Sequence, residues 1–403
     1  MISVKNAINL ITSKATKLND ESISIDKCLG RVSSNDIFSN INNPPADVSS
    51  MDGYALNYKS LKNLKRTSIK IIGESSAGKP FYKPIKINEC IALYTGAEIP
   101  KGADIILLQE RVEINNDHII STNQNYKKNQ YIRKKGSNFK KGTVLLKKFN
   151  VISARALGLI VSSNKTHIRV LKKPKIAILA SGNELRRAGS KSSTGIISSN
   201  TLLLKSVIES FGGESFDLGI AKDNSPSISK KLRDIKKYNI LITTGGASVG
   251  KHDLIKEVLI KLGMKLIFWK VAMRPGKPLI FGKLKNTLIL GFPGNPVSTY
   301  VSAIIFLKPL INSYYKIKIN YNIKYGILEK SLIKNDERQE YLRSKVKYID
   351  NNYYLNPIAF QDSSMTSSLS SADCLIIREP FARKLNKGNK VAFILFSDIH
   401  SSL

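Results

Sequence analysis

The chain has 403 residues, 42% hydrophobic and 8% aromatic, and carries a formal net charge of +34. The length implies two to four domains, and the composition excludes a disordered chain. No apolar run reaches the roughly 18 residues of a membrane span, and 50 of the 64 basic residues are Lys scattered along the whole chain, so neither a membrane protein nor a specific nucleic-acid binder is expected.

The first segment, residues 4–38, reads as helical and then irregular, with Ala7, Ile8, Ile11 and Ala15 on one face. Asn42-Asn43-Pro44-Pro45 ends it. From residue 52 to about 140 the pattern becomes short β runs: 68–72, 90–94, 105–108 and 118–120. Residues 153–162 read as a helix again, so a β module inserted into a discontinuous helical domain is expected. From Lys173 strands and helices alternate: strands at 175–180, 215–220 and 239–243, helices at 200–211, 225–237 and 254–262. Further strands at 266–269 and 287–290 precede a helix from Pro296. Repeated β–α units predict a doubly wound, mostly parallel sheet with ligands at the carboxyl ends of its strands. After about residue 318 the chain returns to β runs, which predicts a small C-terminal β domain.

The only cysteines are Cys28, Cys90 and Cys374, with no CxxC pair. They point to a reducing cytoplasm without disulfides or a cysteine metal site. Cys374 reads as a buried thiol before it reads as a nucleophile. The first residues lack the basic-then-apolar pattern of a signal peptide, which also fits a cytoplasmic protein.

The turn from Thr243 to Asp253 carries most of the chemistry. Gly245, Gly250 and Lys251 have P-loop spacing, but His252 stands where a Ser or Thr should ligate Mg²⁺, and no Walker-B acid is evident. What survives is glycine amides at a strand-to-helix turn, a place for an anion. His252 reads as facing solvent rather than as a ligand. Three other strand ends are similar: 180–185 with Ser181 and Glu184, 219–224 with Asp223, and 291–298 with Pro293, Asn295 and Ser298. Lys270, Arg274 and Lys277 share one nearby segment. Amides and cations hold phosphates; carboxylates hold a divalent cation. Each turn alone could be only a tight turn; four in one α/β unit argue for a site.

Six ordered motifs carry a resemblance: 49–55 (SSMDGYA), 94–97 (YTGA), 181–185 (SGNEL), 244–250 (TGGASVG), 274–278 (RPGKP) and 291–298 (GFPGNPVS). In these the chain resembles the MoeA family of molybdopterin molybdenumtransferases over nearly its whole length. The resemblance implies a multidomain α/β and β fold. Its parts are a discontinuous helical domain (1–43 and 140–173), an inserted β domain (44–139), a MogA-like doubly wound α/β domain (174–318) and a C-terminal β barrel (319–403). It implies an elongated cytoplasmic homodimer whose site lies between subunits. It also implies a reaction: molybdenum from molybdate enters adenylylated molybdopterin, AMP is released, and Mg²⁺ assists. A contact with a MogA-type adenylyltransferase belongs to the same expectation.

Carried over by motif, the resemblance makes Asp52, Glu184 and Asp253 catalytic, and Glu184, Asp223 and Asp253 the Mg²⁺ ligands. Substrate binding falls to Ser49, Thr95, Ser181, Gly245, Gly246, Ser248, Gly250, Lys270, Arg274, Lys277, Pro293, Asn295 and Ser298. Asp52 also reads as a turn former before Gly53, and Asp253 as a helix N-cap. Ser363, Ser364 and Arg343 are lesser candidates, for which surface solvation is the expected state. Asn138 and Asn183 stand where the family commonly has Asp, so the site is less acidic than usual. That departure keeps two other readings open: a non-catalytic molybdopterin-binding scaffold, or a molybdopterin adenylyltransferase.

Overall fold

The computed structural model describes residues 1–61, 68–121, 125–191, 194–245, 254–318 and 321–400. Most expected elements are present, and two helices depart from the expected form. The helix expected over 225–237 stops at Lys231 and continues as a 3-10 turn at Ile235–Lys237, which buries Ile235 in the core. The long helix after Pro296 is α over Pro296–Ser302, π over Ala303–Leu307 and α over Lys308–Tyr314.

The α/β unit is a six-stranded sheet in the order Glu214–Ala221, Lys175–Ser181, Ile240–Thr244, Thr287–Phe292, Ile280–Leu284 and Lys265–Trp269. The first four strands are parallel, and Ile280–Leu284, which no sequence pattern singled out, runs antiparallel to both neighbours. Ile240–Thr244 and Thr287–Phe292 are buried throughout, as strands covered on both faces must be. The carboxyl ends of the parallel strands therefore line up along one edge, at Ser181, Ala221, Thr244 and Phe292.

The first helix, Val4–Thr12, is capped by the Ser3 hydroxyl on Asn6 N–H at 3.3 Å. It packs Val4, Ala7 and Ile11 into the same core as Ile304, Leu307 and Ile311 of the α/β unit. A fully buried Ile contributes about 2 kcal/mol, so this face anchors the N-terminus to the α/β unit. The chain then crosses to a smaller unit on the strand Asp20–Ser24 and returns on His167–Leu171, paired antiparallel with it. The helix Ala154–Val161, with Ser153 capping Ala156 N–H at 3.2 Å, belongs to this unit.

Between the two crossings lies a six-stranded sheet in the order Ile105–Leu108, Gly53–Leu56, Glu89–Leu93, Ile69–Ser75, His118–Ser121, Val112–Asn115. At the other end of the chain, Lys324–Leu328, Gln339–Ile349, Asn352–Pro357, Cys374–Arg378 and Lys390–Leu395 close into a five-stranded barrel. Met273–Arg274 adds a parallel pairing to Gln339–Glu340 and so welds the α/β unit to the barrel.

Candidate active site

Three strand ends meet where the glycine motifs predicted. Gly245 has φ +81, and a Cβ there would lie 2.2 Å from the Ser181 carbonyl oxygen, so only glycine fits. A Cβ on Gly294 would lie 3.7 Å from Gly245 Cα. The Gly294 carbonyl accepts from Asn200 Nδ2 at 2.6 Å, which ties this strand end to the helix Asn200–Ser210. Asp223 clamps the neighbouring turn. Its Oδ1 accepts from the Ser181 hydroxyl at 2.7 Å and its Oδ2 from Asn183 N–H at 3.1 Å. Asn183 Oδ1 answers by accepting from Asp223 N–H at 3.2 Å. An Asp at 183 would set two carboxylates against each other there, so Asn183 suits the clamp. Glu184 folds back over Gly182, with both carboxylate oxygens 2.6 Å from where a Cβ on that glycine would sit.

A cleft of about 700 Å³ opens between this edge and the barrel. From the α/β side it is lined by Arg274, Lys277, Pro293, Asn295 and Ser298, all five expected from sequence. The barrel adds Arg338, Arg343, Arg378 and Ser363. Asn295 Nδ2 donates to the Ser363 hydroxyl at 2.7 Å, and Ser363 O accepts from Val297 N–H at 3.1 Å. Arg274 lies 3.5 Å from Glu340, whose other carboxylate oxygen lies 3.6 Å from buried Arg378. Arg338 is held by a bidentate pair with Asp336. Cations outnumber carboxylates in this cleft, which suits an oxyanion.

Arg343 corrects an expectation. It is 1% exposed rather than solvated, and its guanidinium donates to Gln361 Oε1, Asp362 O, Ser368 Oγ and Phe360 O at 2.7–3.2 Å. It organises the loop that carries Ser363. Ser364 is exposed and donates to Asp362 Oδ1 at 2.6 Å. Lys270 is set apart from the cleft: it has φ +75 and lays its ammonium over the Trp269 ring, 4.1 Å from the centroid. Cys374 is buried among apolar neighbours, which push its thiol up to about 12, and donates to Ser344 O at 3.5 Å. It is a structural thiol.

A second group of expected site residues lies on the inserted domain, apart from the lining of that cleft. The Ser49 hydroxyl bonds the Met51 carbonyl and accepts from Met51 N–H at 3.2 Å, closing the turn before Asp52. A Cβ on Gly53 would lie 1.9 Å from the Leu107 carbonyl oxygen, so glycine lets the strand Gly53–Leu56 pair closely there. Asp52 Oδ1 accepts from Thr95 N–H at 2.7 Å and the Thr95 hydroxyl at 2.8 Å. These two donors hold the Asp52 carboxyl below the usual carboxylate range. Asn138 lines a separate hollow with Asn43, Pro44, Arg133 and Ser137.

Gly246, Ser248, Gly250, Lys251, His252 and Asp253 lie outside the described residues. Among the described residues no three His, Cys, Asp or Glu side chains converge as a metal cage. The sequence reading missed Arg338, Glu340, Gln361 and Arg378. Glu340 and Arg378 lie on barrel strands and Arg338 and Gln361 in the turns beside them, and no local pattern marks these residues before the strands close.

Three family models match in order along the chain: MoeA N-terminal region (domain I and II) over residues 2–163, probable molybdopterin binding domain over 177–313, and MoeA C-terminal region (domain IV) over 325–396. The chain is 31% identical over 394 residues to the molybdopterin molybdenumtransferase of Haemophilus influenzae, covering 94% of each. It is 26% identical over 404 residues to that of Staphylococcus aureus, covering 98% of this chain and 95% of the relative. The crystal structure of the molybdopterin biosynthesis MoeA protein from Pyrococcus horikosii superposes with a TM-score of 0.85 at 26% identity, covering 98% of this chain and 99% of that one. Clamped strand ends, a cationic cleft against a closed barrel and full-length similarity agree, and the chain belongs to the MoeA family.

Proposed function

We propose that the protein transfers molybdenum from molybdate to the dithiolene of adenylylated molybdopterin and releases AMP. The observation that carries this reading is the cleft, where Arg274, Lys277 and Ser298 face barrel arginines beside the glycine strand ends. An oxyanion such as molybdate suits the cations, and a substrate phosphate suits the adjacent glycine amides. Arg338, Arg343 and Arg378 are held by their partners before a ligand arrives, so little reorganisation of these cations is needed on binding. The substrate's adenylyl group is the natural product of a MogA-type enzyme, and direct transfer from such a partner follows from this reading.

The donor set suits Mg²⁺. Glu184 and Asp223 offer hard carboxylate oxygens at adjacent strand ends, and Mg²⁺ commonly takes one or two carboxylates with water and substrate phosphate. The ion would neutralise phosphate charge and polarise the phosphoanhydride. Asp223 already spends one hydrogen bond per oxygen on the 181–183 turn, so the ion would find that carboxylate fixed in place. Asp52, held below the ordinary carboxylate range by its Thr95 donors, supplies a fixed negative charge. In one subunit that carboxylate bonds only within the inserted domain among the described residues. A homodimer that brings the inserted domain of one subunit to the cleft of the other would complete the site.

The test supplies adenylylated molybdopterin, molybdate and Mg²⁺ to the pure protein and follows AMP by chromatography and active cofactor by reconstitution of an apo-molybdoenzyme. Both products are expected. Tight pterin binding without AMP would replace this reading with the scaffold; ATP consumption with molybdopterin would replace it with the adenylyltransferase.

A further inference from the structure

A second cavity, of about 420 Å³, lies at the opposite edge of the α/β sheet from the cleft. Lys175, Glu214 and Asn239 in its lining sit at the starts of the parallel strands, whereas Ser181, Ala221 and Thr244 end them. A seven-residue strand places the two edges about 20 Å apart. The cavity is also where the chain crosses between units. Lys17 and Asn19 lead into the outgoing strand, Lys172 and Lys173 leave the returning one, and Lys172 N–H donates to Asn19 O at 2.9 Å.

Five of its ten lining residues are cations: Lys17, Arg31, Lys172, Lys173 and Lys175. Across the whole chain 64 of 403 residues are Lys or Arg, so the lining holds about three times the average share of cations. Two carboxylates also line it, Glu21 and Glu214, and Glu214 has no ion pair among the described residues, so the cations exceed the carboxylates by three. Glu21 is already matched by Arg31 at 2.6 Å, and the Arg31 guanidinium is further fixed on Leu171 O at 3.0 Å. Lys175 faces the Phe216 ring at 5.9 Å. Lys17, Lys172 and Lys173 have no ion pair among the described residues. Like charges gathered in a recess repel one another, and an anion seated among them reverses that repulsion.

We propose that this cavity binds a small phosphate-bearing polyanion, such as a diphosphate, at the joint between the α/β unit and the smaller unit. The volume falls within the range of small-molecule sites. The ligand would contact both crossings and the sheet at once, and would therefore favour one relative placement of the two units. Because the inserted domain hangs from those crossings, occupancy would bias where Asp52 lies. The site is separate from the catalytic cleft and does not depend on the reaction assigned to it.

Calorimetry on the full chain at fixed ionic strength tests this, with inorganic pyrophosphate as probe and ADP in parallel. Two variants divide the binding: Lys17→Gln/Lys172→Gln/Lys173→Gln in the cavity and Arg274→Ala/Lys277→Ala in the cleft. The cavity variant should weaken one pyrophosphate binding event about ten-fold or more, and the cleft variant should leave that event intact. ADP binding that falls in the same way would identify the phosphate end of a nucleotide as an occupant, whereas pyrophosphate alone would identify the free anion. A control variant, Lys83→Gln/Lys101→Gln/Lys384→Gln, removes the same charge from exposed sites elsewhere. The proposal is overturned if the control weakens binding equally, if the cavity variant binds as the wild type does, or if the cleft variant abolishes all binding.

Discussion

The Asp52 wall and the cationic cleft solve the same problem, holding a charge in place, by opposite routes. Asp52 is held by neighbours in two short motifs, through a turn closed by Ser49 and two donors from Thr95. It is exposed, and its geometry depends on little beyond the pairing of Gly53–Leu56 with its neighbours. The cleft is built by packing. Arg274 reaches Glu340 only because Met273–Arg274 pairs with Gln339–Glu340, and Asn295 reaches Ser363 across 68 residues. A locally held charge can be altered without disturbing the fold; a charge held by packing cannot always be. Function and stability should therefore separate at the first wall and mix at the second.

The largest effect is expected at Asp52. Asp52→Asn keeps the shape and removes the charge, and should lower AMP release about a thousand-fold, as loss of a key electrostatic group does. The melting temperature should stay near that of the wild type; a large fall would erase the contrast between the two walls. In the barrel Arg343→Ala takes the guanidinium donor from the buried Ser368 hydroxyl and from three part-buried acceptors, of which Gln361 Oε1 keeps the residue-343 N–H. It should cost about 3–5 kcal/mol in chemical denaturation, with the barrel losing order first. Unchanged stability would show that the barrel does not depend on that network.

Arg274→Ala should sharpen the contrast from within the cleft. Arg274 is 59% exposed on its side chain, and Glu340 keeps Arg378 when it is removed. Stability should change little while KM for molybdate rises about ten-fold with kcat less affected. An equal loss in kcat would place Arg274 on the transition state instead. The smallest effect is a pH shift. In Thr95→Ala the Asp52 carboxylate loses the hydroxyl donor, so its pKa rises toward the ordinary value. A depressed carboxylate stays ionised to lower pH, so removing the donor should move the acid limb of the activity profile to higher pH. A limb that does not move would assign it to another group.

Much of the fold is legible in the residues themselves. The helix Ala154–Val161 follows from Ser153 and its apolar spacing, and the buried parallel strands follow from apolar runs such as 240–242. The glycine at 245 announces a left-handed turn because no other residue adopts φ +81 there without a clash. The strand Ile280–Leu284 escapes a reading by pattern because Gly282 and Lys283 interrupt its apolar run. A Cβ at Gly282 would crowd the Met264 sulfur at 2.8 Å and the Lys265 carbonyl oxygen at 3.0 Å, so a small residue suits the strand there.

The sequence by itself determined most strands and turns, the glycine-rich strand ends, the Asp52–Gly53 turn and the family. Each of these is encoded within a few residues, where backbone sterics and side-chain periodicity act directly. Only the tertiary structure decided which charges meet. It buried Arg343, drew Lys270 onto Trp269, made Asp223 a clamp and gathered Lys17 with Lys172 and Lys173 around one recess. The partner of a long charged side chain depends on strand pairings and domain junctions far apart in the chain, and no local pattern carries that information.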